Sequence, residues 1–181
     1  KETHSIKGIP IASQLYAFEN CEGDYILQMD SDVMIGRSDY NHSFMDDMLT
    51  ELESNETVIS VGFNIPVSQS NPYFGFEDGG FVPEVRMGLF DKKRMFGLRP
   101  YTNSTDENGK LRLTWYRSME QYQKQTGYCS IRGGDKRSSY IHPQNYSKTK
   151  TDRWMNILDR IEQRSTLDTQ INQYDCEGAF F

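Results

Sequence analysis

The sequence predicts an α/β fold, a mostly parallel sheet flanked by helices. Three observations carry that expectation. Two amphipathic helical stretches are each followed by an apolar strand, the strand segments are too uniformly apolar for one wet face, and 181 residues fit a single domain, 1–181. Helix, strand, helix, strand is the order that crossover connections between parallel strands require.

Taken in order, "IPIASQLYAFENCEG" repeats Ile11, Ala12, Leu15 and Phe18 at helical spacing, with Pro10 in a first-turn position and Gly23 available to close the end. "DYILQMD" then reads as a strand covered on both faces. "YNHSFMDDMLTELESN" carries Phe44, Met45, Met48, Leu49 and Leu52 on one stripe of a second helix, and "TVISVGFNIP" is a second apolar strand. Beyond Pro66, "VSQSNPYFGFEDGGFVPE" has the Gly, Pro, Asn and Ser content of a long ordered loop. "VRMGLFDKKRMFGL" fits a hairpin turning at Asp91 to Lys93, "NSTDENGK" a surface loop, and "LTWYRSMEQYQKQTG" a helix ended by Gly127. "YCSIRGGDKRSSYIHPQN" mixes strand-like pieces around a Gly-Gly break. A last helix, "SKTKTDRWMNILDRIEQR", has Trp154, Ile157, Leu158 and Ile161 on one face; the tail "YDCEGAFF" carries no clear pattern.

Composition removes several function classes. A formal charge of −6 offers no global field for nucleic acid or anionic membrane, and no apolar run reaches the length of a membrane span. The short basic and aromatic patch in "GLFDKKRMFGLRP" is too narrow for a nucleic-acid face. Cys21, Cys129 and Cys176 are odd in number and lack C-x-x-C spacing, so the expectation is a reducing, cytoplasmic setting without zinc clusters or disulfides.

Against that background "GDYILQMDSDVMIGR" places Asp30 and Asp32 at the carboxyl end of a strand, where ligands gather in α/β sheets. Residues two apart in an extended segment point the same way, so both carboxylates can converge on one cation. Hard oxygen ligands without nearby thiolate suit Mn2+ or Mg2+, which keep positions open for a diphosphate. A strand-end Asp also commonly caps a turn, and D-x-D arises by chance in acidic proteins. A calcium loop of the EF-hand kind is excluded, because Met34, Ile35 and Asn41 occupy the places that need an oxygen ligand, Gly and Glu.

The stretch "GIPIASQLYAFENCEGDYILQMDSDVMI", residues 8–35, resembles the middle of family 2 glycosyltransferases of the GT-A fold. The matching pieces are Ala17 to Asn20, then Gly23, Asp24, Tyr25 and Ile26, then Asp30, Ser31 and Asp32. The resemblance implies a partial GT-A fold and an enzyme that moves a sugar from a nucleotide-diphosphate donor to a carbohydrate or other hydroxyl acceptor. Metal-dependent transfer, with inversion, is implied by it as well. In that family nucleotide-binding βαβ units precede the D-x-D, whereas 29 residues precede Asp30, so the expectation is a fragment of a longer enzyme. A sheet cut there would leave an edge through which copies could associate.

The same resemblance implies a His that completes the metal site and basic groups over the diphosphate. Among His4, His42 and His142, the last lies in "SIRGGDKRSSYIHPQNYSK" near Arg132, Arg137 and Lys148, and it is the candidate ligand. Its plain alternative is packing beside Pro143. Asp135, on the Gly133-Gly134 turn, is the candidate base for the acceptor hydroxyl. Asp78 is the second candidate, since "FEDGGFVPE" resembles the family's E-D pair and G-G-F-x-E loop, with Glu77 and Glu84 nearby and Pro83 adding a residue to the spacing. The rival readings are a nucleotidyltransferase-like enzyme and a non-catalytic carbohydrate-binding module.

Overall fold

The computed structural model describes residues 4–63, 83, 85–133, 137–142, 148–165 and 174–175. Among the described residues seven strands form two sheets. Strands β1 (Tyr25–Met29), β3 (Val58–Phe63), β4 (Met87–Asp91) and β5 (Cys129–Gly133) make the larger one, in the order β1-β4-β3-β5. Strands β2 (Met34–Arg37), β6 (Ser138–His142) and β7 (Tyr174–Asp175) make the smaller one, in that order. The helices are α1 (Ala12–Asn20), α2 (Phe44–Ser54), α3 (Lys92–Gly97), α4 (Trp115–Thr126) and α5 (Lys148–Glu162).

The α/β class holds, but the larger sheet is mixed and not mostly parallel. Within that sheet, among the described residues, β3 and β5 are the one parallel pair, while β4 lies antiparallel between β1 and β3. Strands β1, β3 and β5 still share one direction, so their carboxyl ends emerge on the same side. The insertion of β4 is a long-range pairing, and the local apolar pattern of "MGLFD" carries no information about the direction of its partner.

Strand β3 is the centre of the core. Val58, Ile59, Ser60 and Val61 are all buried, as a strand with elements on both faces requires. Its register against β5 passes from Val58–Cys129 directly to Ser60–Ser130, so Ile59 is an extra residue and the strict alternation of faces breaks there. Val58 and Val61 consequently pack with Met48 and Leu52 of α2, while Ile59 packs with Trp115 and Met119 of α4. Ser60 faces the α4 side too, where its hydroxyl donates to Ser130 Oγ at 2.7 Å and Gln123 Nε2 reaches the same oxygen at 2.8 Å. The bulge thus lets a small polar cluster enter an apolar layer with Ser60 and Gln123 both donating to Ser130 Oγ.

Strand β1 differs from its expectation. It lies at the edge of the sheet, and Leu27 and Met29 are 44% and 47% exposed. Helix α2 covers β3 and β4 on this face but stops short of β1 beyond Tyr25. The local sequence cannot reveal this, because an apolar run looks the same at an edge as at the centre.

The helix ends follow ordinary capping chemistry. Ser43 accepts a hydrogen bond from Asp46 N at the start of α2, and Gly127, at φ 79°, closes α4 in the left-handed conformation that glycine adopts without strain. Helix α1 ends at Asn20, with Cys21 already extended, and so stops before Gly23. The segment after β4 is no hairpin: Asp91 caps α3 by accepting from Arg94 N at 2.8 Å, and the chain turns helical at the expected turn. On the smaller sheet, Trp154, Ile157 and Ile161 of α5 pack with Met34 of β2, as the apolar face of that helix leads one to expect.

Arg94 ties several of these pieces together. Its Nη1 donates to the carbonyls of Leu52, Asn55 and Val58 at 2.7, 2.9 and 2.6 Å, and its Nε pairs with Asp91 at 3.2 Å. Replacing it leaves carbonyls at the end of α2 without their charged donor. Arg94→Leu is expected to lower the unfolding free energy by about 3 kcal/mol, read as a lower urea midpoint at unchanged slope.

Tyr101 supplies a second check. Burial pushes its phenol up to about 12, Arg99 opposing in part, and its hydroxyl donates to Met95 O at 2.7 Å. Because the folded pKa exceeds the unfolded one, near 10, its contribution to stability is full below pH 10 and is lost as pH rises toward 12. Absorbance titration at alkaline pH should show Tyr101 ionising late, and Tyr101→Phe should reduce the late-ionising amplitude by one tyrosine.

Candidate metal centre

Asp30 follows directly on the last residue of β1, at the end where β1, β3 and β5 all finish. Its amide donates to Arg86 O at 2.8 Å, continuing the β1–β4 ladder by one step. Val33 N then donates to Asp30 O at 3.2 Å, which closes a four-residue turn through Ser31 and Asp32. The aspartates therefore sit at two positions of a tight turn, not on an extended segment, and the strand-periodicity argument for their convergence does not apply. Both remain half-buried, and the buried Val33 anchors the far side of the turn in the core.

The surroundings of Asp30 are ordered by neighbours. Gln28 Nε2 donates to Asp30 Oδ1 at 3.3 Å and to Val85 O at 3.2 Å, so one amide ties the carboxylate to the segment entering β4. Hydrogen bonds of this kind orient a ligating carboxylate from behind. Arg86, half-buried, is the basic residue that the β1–β4 pairing brings beside Asp30. Sequence reading passed over it, since its relevance depends on an antiparallel pairing across more than fifty residues; the available signal was a charged residue at the mouth of an apolar strand.

Leaving the turn, the chain enters β2, whose register with β6 decides the position of His142. Met34 pairs with Ile141, so the next positions along the ladder are Val33 and His142. The backbone of His142 therefore lies beside the residue that follows Asp32. On the other side of β6, His142 pairs with Asp175 of β7 in parallel register. Asp32, His142 and Asp175 thus fall in adjacent rows at one end of the smaller sheet. Asp175 went unread in the sequence because a two-residue strand has too little pattern to be recognised.

The other candidates divide. Arg132 occupies β5 opposite Gly62, one residue from the end of the strand on the same side as Asp30. Arg137 precedes β6 and its carbonyl accepts from Ser38 N at 2.8 Å, at the opposite end of the β2–β6 ladder from His142. About 17 Å of strand separates those ends, and the fold does not bring Arg137 to the aspartates. Lys148 begins α5. Asp78, Asp135, Glu77 and Glu84 lie outside the described residues.

Among the described residues no group of three or more His, Cys, Asp or Glu side chains is disposed to hold a metal ion. What the turn offers is two half-buried hard-oxygen donors with one of them held from behind, a donor set that fits Mg2+ or Mn2+ and leaves positions to be filled by substrate oxygens. Also among the described residues, no helix is long and apolar enough to cross a membrane. No family model matches the chain, and no curated protein sequence matches it.

Proposed function

We propose that the chain belongs to a metal-dependent glycosyltransferase, which moves a sugar from a nucleotide-diphosphate donor to an acceptor hydroxyl with inversion. The observation that supports this reading best is the β2–β6 register, which sets the His142 backbone beside the Asp30–Asp32 turn, where β1, β3 and β5 end. Asp30, Asp32 and His142 would hold Mn2+ or Mg2+. The ion would neutralise charge on the departing diphosphate.

In this reading Arg132 and Lys148 contribute positive charge toward the diphosphate, and Asp135 is the base that takes the acceptor proton, with Asp78 as the alternative. Asp135 stands two residues past the end of β5 in the chain. Arg137 is left out of the diphosphate set because of its place on the ladder.

Isothermal titration of the full-length protein with UDP and with GDP, each with and without Mn2+, tests the reading. Binding that requires the ion is expected for one of them, and Asp32→Asn should weaken it by at least about tenfold. Nucleotide binding that ignores the ion, or no binding of either nucleotide, overturns it. Arg132→Ala and Arg137→Ala make a second check on donor turnover. The first should lower kcat/KM by about tenfold or more, while the second should leave it unchanged.

A further inference from the structure

A cleft of about 600 Å3 opens at the end of the larger sheet opposite to Asp30. Asp91, on its wall, pairs with Tyr25 at the start of β1, whereas Asp30 follows the last residue of that strand. About 17 Å of strand separates the two places, so the cleft is no part of the metal centre. Helix α3 and the residue after it supply Lys93 and Leu98 on one side, α4 and the residue before β5 supply Tyr122 and Tyr128 on the other, and Glu56 closes the rim before β3.

The polar groups on this wall fall into two kinds. Arg94 and Asp91 are engaged with each other, Arg94 also donating to backbone carbonyls and Asp91 also accepting from Arg94 N. The side chains of Lys93, Glu56, Tyr122 and Tyr128 enter no hydrogen bond or ion pair among the described residues. Both tyrosine rings pack against the α4-side core cluster and are half-buried, which holds them in place before any ligand arrives.

The charges select among ligands. Two acids, Glu56 and Asp91, balance two bases, Lys93 and Arg94, so the lining presents no net field for phosphate or another anion. Two amphipathic rings, one free ammonium, one free carboxylate and two free hydroxyls suit a molecule with apolar ring faces and many hydroxyls that both donate and accept. We propose that this cleft is a second binding site that takes the ring of a neutral saccharide. The proposal stands whether or not the chain transfers sugar.

Saturation-transfer NMR of the full-length protein with maltotriose, cellotriose and chitotriose, each at millimolar concentration, tests it. Transfer to the ring protons of at least one is expected, unaffected by equimolar inorganic phosphate. Lys93→Glu, a change at an exposed position, should weaken that binding by about tenfold, and Tyr128→Ala should abolish it, with Tyr122→Phe keeping ring contact while losing a hydroxyl partner. Asp32→Asn should leave it intact, which separates this cleft from the metal centre at the other end. Absence of transfer to all three sugars, displacement by phosphate, equal affinity in Lys93→Glu, or loss in Asp32→Asn each overturns the proposal.

Discussion

The burial of β3 from Val58 to Gly62 is the constraint from which the rest of the architecture follows. A strand with no wet face needs a helical layer on each side and a paired neighbour on each edge. Helix α2 provides one layer, α1 and α4 the other, and β4 and β5 the two edges. The extra residue at Ile59 shows how tightly the demand operates. It turns two successive side chains to the α4 side, and the polar one of the pair finds Ser130 waiting there.

Arg94 acts at the junction of these layers. By gathering carbonyls from the end of α2 and the start of β3 while pairing with Asp91, it fixes the end of the sheet that lies away from the aspartates. A single guanidinium can do this because its donors fan out in one plane and remain charged at every physiological pH. The two ends of the sheet are therefore built differently. One is locked by a half-buried arginine among carbonyls, and the other ends in a short turn that carries two acidic residues and leads directly into the second sheet.

Much of the helical framework was legible in the sequence. The stripe on "FMDDMLTELES", the Gly127 stop and the Trp154 to Ile161 face all depend on contacts within a few turns, which sequence spacing records directly. What failed depended on partners far away in the chain. The apolar run of β1 gave no sign that the strand lies at an edge, and "MGLFDKKRMFG" reads equally well as a hairpin until Asp91 is seen to cap a helix. At the candidate site the aspartates and His142 were visible as residue types. Their proximity came only from the β2–β6 register, and neither Arg86 nor Asp175 could be found without strand pairing.

The outer side of β1 has a practical bearing. Tyr25 to Met29 contains no lysine, proline or other charged group to discourage a neighbouring chain, and two large apolar side chains stand in water beside it. Margins of that kind recruit extended segments from whatever polypeptide is abundant, so preparations of this chain on its own will tend toward self-association at high concentration. A lysine at position 27 would place charge in the middle of the margin, on a side chain that is 44% exposed, and gives a simple route to well-behaved material.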